Sequence, residues 1–183
     1  DISCHKEMIA EAAKLMDGID SFVNNAGILP PYDMEWGFGV LNLTEDIWDN
    51  VISTNLKAVF FMMQAACNYM IKNNIKGNIL NVSSEAGFVR ATGSYGVSKT
   101  GVVALTKGWG KLMAQKGIVI NGIAPGTTAT TMVDIEREVS LKRQPNGRLA
   151  KPQEIAELAV FLMSKEGENI IGQSVLSDGG SSL

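Results

Sequence analysis

Asn78-Ile79-Leu80-Asn81-Val82 runs into Ser83-Ser84-Glu85-Ala86-Gly87, and a few residues further on stands Tyr95-Gly96-Val97-Ser98-Lys99. The first run is apolar and closes on small polar residues, the pattern of a buried strand and its exit. The last opens a segment striped by Val102, Leu105, Trp109, Leu112 and Met113, which predicts a helix over 95–115. Tyr95 and Lys99, four residues apart at its start, share one face. A phenol and an ammonium can therefore enter one pocket beside a strand-end serine. Singly, such a tyrosine packs its ring and such a lysine is solvated. Together they form a proton-transfer constellation: a phenol with a pKa of about 10 acts as a base near neutrality only beside positive charge, which Lys99 supplies.

Outward from this stretch, short apolar runs alternate with longer striped segments. Ser3 can cap a helix over 5–16, with Met8, Ile9, Ala12, Ala13 and Met16 on one face, and Asp17-Gly18 ends it. A strand over 20–24 turns out through Asn25-Ala26-Gly27. Residues 28–43 carry Pro30, Pro31, Gly37 and Gly39 without a clear period and read as a loop. Thr44, followed by Glu45 and Asp46, starts a helix running to Lys72 that is apolar nearly all round from Leu56, hence covered on more than one side. Strands follow over 77–82, 118–123 and 173–176, the second broken by Ala124-Pro125-Gly126. Between the last two lie the polar stretch 127–151, with a turn at Pro145-Asn146-Gly147, and a helix opened by Pro152. Glycines at 101, 108 and 110 weaken the helix over 95–115 and predict close backbone approach there. The alternation predicts an α/β fold with a doubly wound parallel sheet between two helical layers.

With 183 residues, 45% hydrophobic and 19% charged, the chain fits one compact domain. A net charge of -3 and no basic run exclude a nucleic-acid partner. Cys4 and Cys67, the only cysteines, stand far apart, which suits a reducing compartment rather than a disulfide scaffold or a zinc site. The weakly polar run 58–71 is shorter than the roughly 20 apolar residues a bilayer crossing needs. No signal-peptide pattern opens the chain, so the expected address is cytoplasmic, with no membrane partner.

Several mutually spaced motifs now coincide: Asn24-Asn25-Ala26-Gly27, Thr54-Asn55-Leu56, Ser84, Tyr95-x-x-x-Lys99, Pro125-Gly126 with Thr130 beyond it, Asn146-Gly147-Arg148-Leu149, Pro152-Gln153-Glu154-Ile155-Ala156 and Asp178-Gly179-Gly180. On these the chain resembles the short-chain dehydrogenase/reductase superfamily, on the side of the 3-oxoacyl-acyl-carrier-protein reductases, over essentially its whole length. The resemblance implies a Rossmann-like domain and hydride transfer between NAD or NADP and a small-molecule carbonyl or secondary alcohol. It makes Tyr95 the general acid/base and gives Lys99 a second role on the nicotinamide ribose. Ser84 would hydrogen-bond the substrate oxygen; it is preferred over Ser83 because Gly87 follows three residues on. Asn55 would hold a water in the proton relay, with a helix-packing amide as the rival reading. The cofactor site would include Asp1 and Ile2 beside the adenine, Asn25, Ala26 and Gly27, then Pro125, Gly126, the backbone at Thr128 and the hydroxyl of Thr130. No metal is implied. A homo-dimer or homo-tetramer through the helices at 44–72 and 95–115 is expected.

Two departures stand out. The interval from Ser84 to Tyr95 is 11 residues, a residue or two short of the family's habit, which bears on substrate shape. The family's opening Gly-rich turn, whose helix N-terminus receives the pyrophosphate, has no counterpart in this sequence. The expectation is an N-terminally truncated domain over 1–183, without the first three strands, with an unpaired edge at 20–24 and weak affinity for cofactor. A non-catalytic binding or regulatory protein on the same scaffold is the alternative. A hydrolase using Ser84 lacks a base, the sole histidine being His5.

Overall fold

The computed structural model describes residues 4–131 and 144–183. The apolar runs become four parallel strands, β1 (Ser21–Asn24), β2 (Asn78–Val82), β3 (Val119–Pro125) and β4 (Ser174–Ser177), hydrogen-bonded in the order β1-β2-β3-β4. Asn24 pairs with Asn81, Val82 with Ile123 and Pro125 with Ser177, so the strands all end at one edge of the sheet. The connections are α1 (His5–Leu15), α2 (Tyr32–Glu35), α3 (Glu45–Ile52), α4 (Ala58–Lys72), α5 (Ala86–Val89), α6 (Ser94–Ala114) and α7 (Pro152–Met163).

Residues alternate across β2 and β3, and both faces are covered. Ile79 and Ile120 face α1, α4 and α6, where Ile9, Met63, Met70 and Val102 close the larger core. Leu80 and Ile123 face α7 and pack on Leu162. Burial on both faces explains why these strands read as continuous apolar runs. A buried polar chain crosses the larger core: Asn24 Nδ2 donates to Asn81 Oδ1 at 2.8 Å, and Asn81 Nδ2 donates to Thr106 Oγ1 at 3.0 Å. It ties β1, β2 and α6 together beneath the strand ends. On its outer side β1 has no partner strand among the described residues, and Val23 there is half-exposed.

The helix expected over 44–72 is continuous but not uniform. Thr44 Oγ1 accepts from the Ile47 amide, as an N-cap should. At Ser53–Lys57 the chain widens into a π turn, with the Ala58 N–H bonded to the Ser53 carbonyl. Residues 28–43 are not a plain loop: they hold α2 and a 3₁₀ segment, Gly37–Asn42, each too short to show a period. β3 also runs on through Ala124 to Pro125, because a proline at a strand end loses no ladder bond and its carbonyl still accepts from Glu85 N at 2.9 Å. Asp17 and Gly18 take φ of 58° and 126°, which stops α1 where the sequence does. The close approach expected of the α6 glycines holds at two of them. A Cβ on Gly101 would meet Leu56, and one on Gly110 would lie 2.5 Å from Gly172 Cα, whereas Gly108 faces open space. The expected cap Ser3 lies outside the described residues, as does 132–143 of the polar stretch. Among the described residues no helix is long and apolar enough to cross a membrane.

Candidate active site

The strand ends surround a cleft of about 770 Å³, and Ser84, Tyr95 and Lys99 all line it. Two elements place them. Ser84 leaves β2, while Tyr95 and Lys99 stand on the first turns of α6. The two serines separate cleanly. Ser83 Oγ is buried and donates to the Lys99 carbonyl at 2.8 Å, pinning α6 to the end of β2. Ser84 faces the Tyr95 hydroxyl across the cleft, near enough to lower its pKa, and its Oγ accepts from the Ala86 amide.

Lys99 is buried beneath the tyrosine, its Nζ 5.6 Å from the Tyr95 ring centroid and 3.0 Å from the Val82 carbonyl to which it donates. Burial lowers its ammonium from 10.5 to about 8. Tyr95 moves the other way. Burial raises its phenol above 10.0, the nearby Ser84 hydroxyl lowers it in part, and Glu35 and Glu85 raise it further. The sequence reading expected Lys99 to bring the phenol down toward neutrality. In the structure the ammonium lies under the ring rather than at the hydroxyl, and burial with two carboxylates dominates. The phenol is thereby held as an acid.

Asn55 occupies the π turn, fully buried. Its Oδ1 accepts from Ile28 N at 2.8 Å, and its Nδ2 donates to Ile28 O at 2.9 Å and Ser98 Oγ at 3.3 Å. The amide thus clamps the chain just after Gly27, which is what the packing reading expects. The clamp bears on Lys99: a Cβ on Gly27 would stand 3.4 Å from both Lys99 Nζ and Asn55 Oδ1.

The outer wall comes from residues that the sequence reading did not single out. Trp36 sets its ring edge-on to Tyr95, centroids 6.3 Å apart, and Arg90 lies 5.9 Å over the Trp36 ring. Arg90 Nη2 pairs with Glu85 Oε1 at 2.6 Å, and the other Glu85 oxygen accepts from Ser181 Oγ after β4. Behind Trp36, Glu35 is wholly buried, with Ser94 Oγ at 3.2 Å and the Gly96 amide at 3.1 Å donating to it. An acidic residue in an aperiodic Pro/Gly segment carries no sequence signal of that kind.

Residues 3–182 match the family model described as enoyl-(acyl carrier protein) reductase. Over 181 residues the chain is 39% identical to the 3-oxoacyl-(acyl-carrier-protein) reductase of Thermotoga maritima, covering 96% of this chain and 71% of that protein. The chain belongs to the short-chain dehydrogenase/reductase superfamily. It is also 34% identical to the 2-dehydro-3-deoxy-D-gluconate 5-dehydrogenase of Dickeya dadantii, over 98% of this chain and 72% of that one. Among solved structures, a short-chain type dehydrogenase/reductase from Mycobacterium marinum superposes with a TM-score of 0.90 at 26% identity, covering 100% of this chain and 72% of that one. A putative 2-deoxy-D-gluconate 3-dehydrogenase from Agrobacterium tumefaciens, solved with bound NADP, gives 0.86 at 33% identity, covering 99% and 74%. The chain spans between 65% and 72% of the length of the curated relatives it matches.

As a short-chain dehydrogenase/reductase, the chain has the expected cofactor-side residues in two groups. Asn25 and Gly27 after β1, Pro125 at the end of β3, and Gly126, Thr128 and Thr130 beyond it line the same cleft as Tyr95 and Lys99. Ala26 is exposed beside them and does not line it. Gly126 packs so tightly on the exit turn of β4 that a Cβ would lie 2.7 Å from Asp178 Cα. The opposed loops, the lysine and the threonine hydroxyls fit the nicotinamide end of a dinucleotide. Asp1 and Ile2 lie outside the described residues. Among those described, no group of three or more His, Cys, Asp and Glu side chains could hold a metal ion.

Proposed function

We propose that this protein is an NAD(P)-dependent oxidoreductase that interconverts a carbonyl and a secondary alcohol on a small molecule. The observation that carries the proposal is the convergence of Ser84 and Tyr95 in one cleft above a buried Lys99. When bound, the nicotinamide supplies or accepts the hydride. In reduction, Ser84 orients the carbonyl oxygen, and Tyr95, held protonated by burial and by Glu35 and Glu85, donates its proton as the alkoxide forms. In oxidation Tyr95 must first lose its own proton to solvent, and the resulting phenolate accepts the proton of the alcohol. Lys99 would hold the ribose hydroxyls with the donors left over from Val82. Asn55 fixes Gly27 and Ile28 against that lysine, and any relay water would stand beside its amide.

The proposal extends to a cytoplasmic homo-dimer or homo-tetramer packed through α4 and α6, with NAD or NADP as cofactor. It also holds that the 183-residue polypeptide by itself binds either cofactor weakly, because its sequence lacks a Gly-rich pyrophosphate turn. Calorimetry of that polypeptide with NADH and NADPH checks this, and tight binding refutes it. The test of function follows reduced-nicotinamide absorbance in the full-length enzyme against a panel of carbonyl compounds. Tyr95→Phe should lower kcat by roughly 10²- to 10⁴-fold with the fold intact. Full activity in that variant excludes the mechanism.

A further inference from the structure

We infer that Glu35 is a positioning residue: from the substrate-side segment it caps the catalytic helix α6 in place of the side chain that Gly93 lacks. The N-cap of α6 is Gly93, and no side chain of its own bonds the first turn. An ordinary N-cap side chain would accept from the amide of the second or third helical residue. Gly96 is the third, and its N–H donates to Glu35 Oε1 at 3.1 Å, while Ser94 Oγ donates to Oε2 at 3.2 Å. The carboxyl group fills the volume a capping side chain would take: a Cβ on Gly93 would lie 2.5 Å from Glu35 Cδ and Oε2. A carboxylate at the N-terminus of a 21-residue helix is also where the helix dipole favours negative charge.

Tyr95 sits between the two residues that Glu35 holds, and Trp36, next in the chain, packs edge-on against the Tyr95 ring. The outer wall of the cleft and the proton donor are therefore tied to one carboxylate. Seating of the 28–43 segment sets the position of the phenol, and displacement of that segment uncaps the helix that carries it. The groups facing Tyr95 are Lys99 from its own helix, Ser84 and Glu85 from the end of β2, and Glu35 from α2, with Arg90 reaching it only through Trp36.

The kinetic part of this inference rests on the proposed function; the capping part does not. Three variants of the full-length enzyme test both: Glu35→Ala, Glu35→Gln, and Glu35→Ala combined with Gly93→Ser, in which the serine takes the vacated space. Glu35→Ala should speed amide exchange at Gly96 about tenfold, as loss of a hydrogen bond to a carboxylate implies. It should also cut kcat/KM roughly ten- to a hundredfold. The double variant should regain Gly96 protection and the urea midpoint through its local cap while KM stays raised, because the segment is no longer tied to the helix. Gly93→Ser alone should destabilise, since the serine and the carboxyl compete for one volume. In Glu35→Gln the limb of the pH–rate profile set by Tyr95 should move to lower pH. Unchanged Gly96 exchange in Glu35→Ala overturns the cap, and a KM restored by the double variant overturns the coupling. A wild-type enzyme without carbonyl activity would fail the proposed function and leave the exchange result to decide the cap.

Discussion

Replacing Lys99 by methionine should make the pH dependence of stability diverge from wild type in one defined window. Lys99 is only 4% exposed, and burial lowers its ammonium from 10.5 to about 8. The folded state therefore binds this proton less tightly than the unfolded chain does. Between about pH 8 and 10.5 the unfolded chain carries more protons, so stability rises with pH there. Below that window both states are protonated, and keeping the charge buried costs the folded state about 3 kcal/mol. Lys99→Met keeps the bulk of the side chain and removes the titration.

The absolute offset between the two proteins also contains the lost bond from Nζ to the Val82 carbonyl and any repacking. Repacking does not depend on pH, and the weakening of that bond when Nζ deprotonates is already contained in the pKa of Lys99. The informative quantity is the change in the stability difference between pH 7 and pH 10, which should be about 2 to 3 kcal/mol, the variant losing ground as pH rises. Urea unfolding of both proteins at constant ionic strength measures it. Ending the series at pH 10 keeps it below the raised phenol of Tyr95 and the Cys67 thiol, which burial raises to about 11. Parallel stability curves across this window would refute the claim that the folded protein depresses Lys99.

The neighbouring serines should divide stability from catalysis. Ser83→Ala should cost about 1 kcal/mol of unfolding free energy by losing its bond to the Lys99 carbonyl, whereas Ser84→Ala should leave the urea midpoint nearly unchanged and lower kcat. Asn55→Ala strands both backbone groups of Ile28 and should destabilise by about 1 to 3 kcal/mol, read by thermal or urea unfolding. Gly110→Ala drives a methyl to 2.5 Å from Gly172 Cα and should cost about 1 to 3 kcal/mol by the same measurement, with Gly108→Ala as the harmless control.

The elements with strong periodicity were legible in the sequence: β2, β3, α6 and the continuous helical run from α3 through the π turn to α4 differ from their expected bounds by a residue or two. Each buries a face or two faces wholly, so the hydrophobic pattern states its environment. Tyr95 and Lys99 were legible as a pair because four residues of helix put them on one face, and Ser84 because the family resemblance separates it from Ser83. Three features were not. The π turn at Ser53–Lys57 contains no Gly or Pro to mark it, so the helix reads as uninterrupted although the turn sets the register of Asn55. The direction of the Tyr95 shift is set first by burial, with Glu35 and Glu85 adding to it, and tertiary packing alone supplies all three. The segment 28–43 is ordered by contacts to α6 and to its own backbone rather than by a period. A Cβ on Gly39 would lie 1.9 Å from the Asp33 carbonyl.

The short interval from Ser84 to Tyr95 connects these observations. With 11 residues available, the chain leaves β2, makes the single turn of α5 and lies flat against the start of α6. Thr100 Oγ1 donates to the Gly87 carbonyl at 2.9 Å, and Cβ atoms on Gly87 and Gly96 would lie 2.8 Å from the Lys99 carbonyl and 1.8 Å from that of Arg90. A connection pressed this closely to the helix lines the cleft only through Glu85, Ala86 and Arg90. The rest of the outer wall is supplied by Trp36, and the cap the connection leaves out at Gly93 is supplied by Glu35. Shortening one loop and enlisting the other are thus two sides of one arrangement. Substitutions at Trp36 and Arg90 should therefore change which carbonyl compounds the cleft accepts, more than substitutions at Thr92, whose segment only bridges to α6.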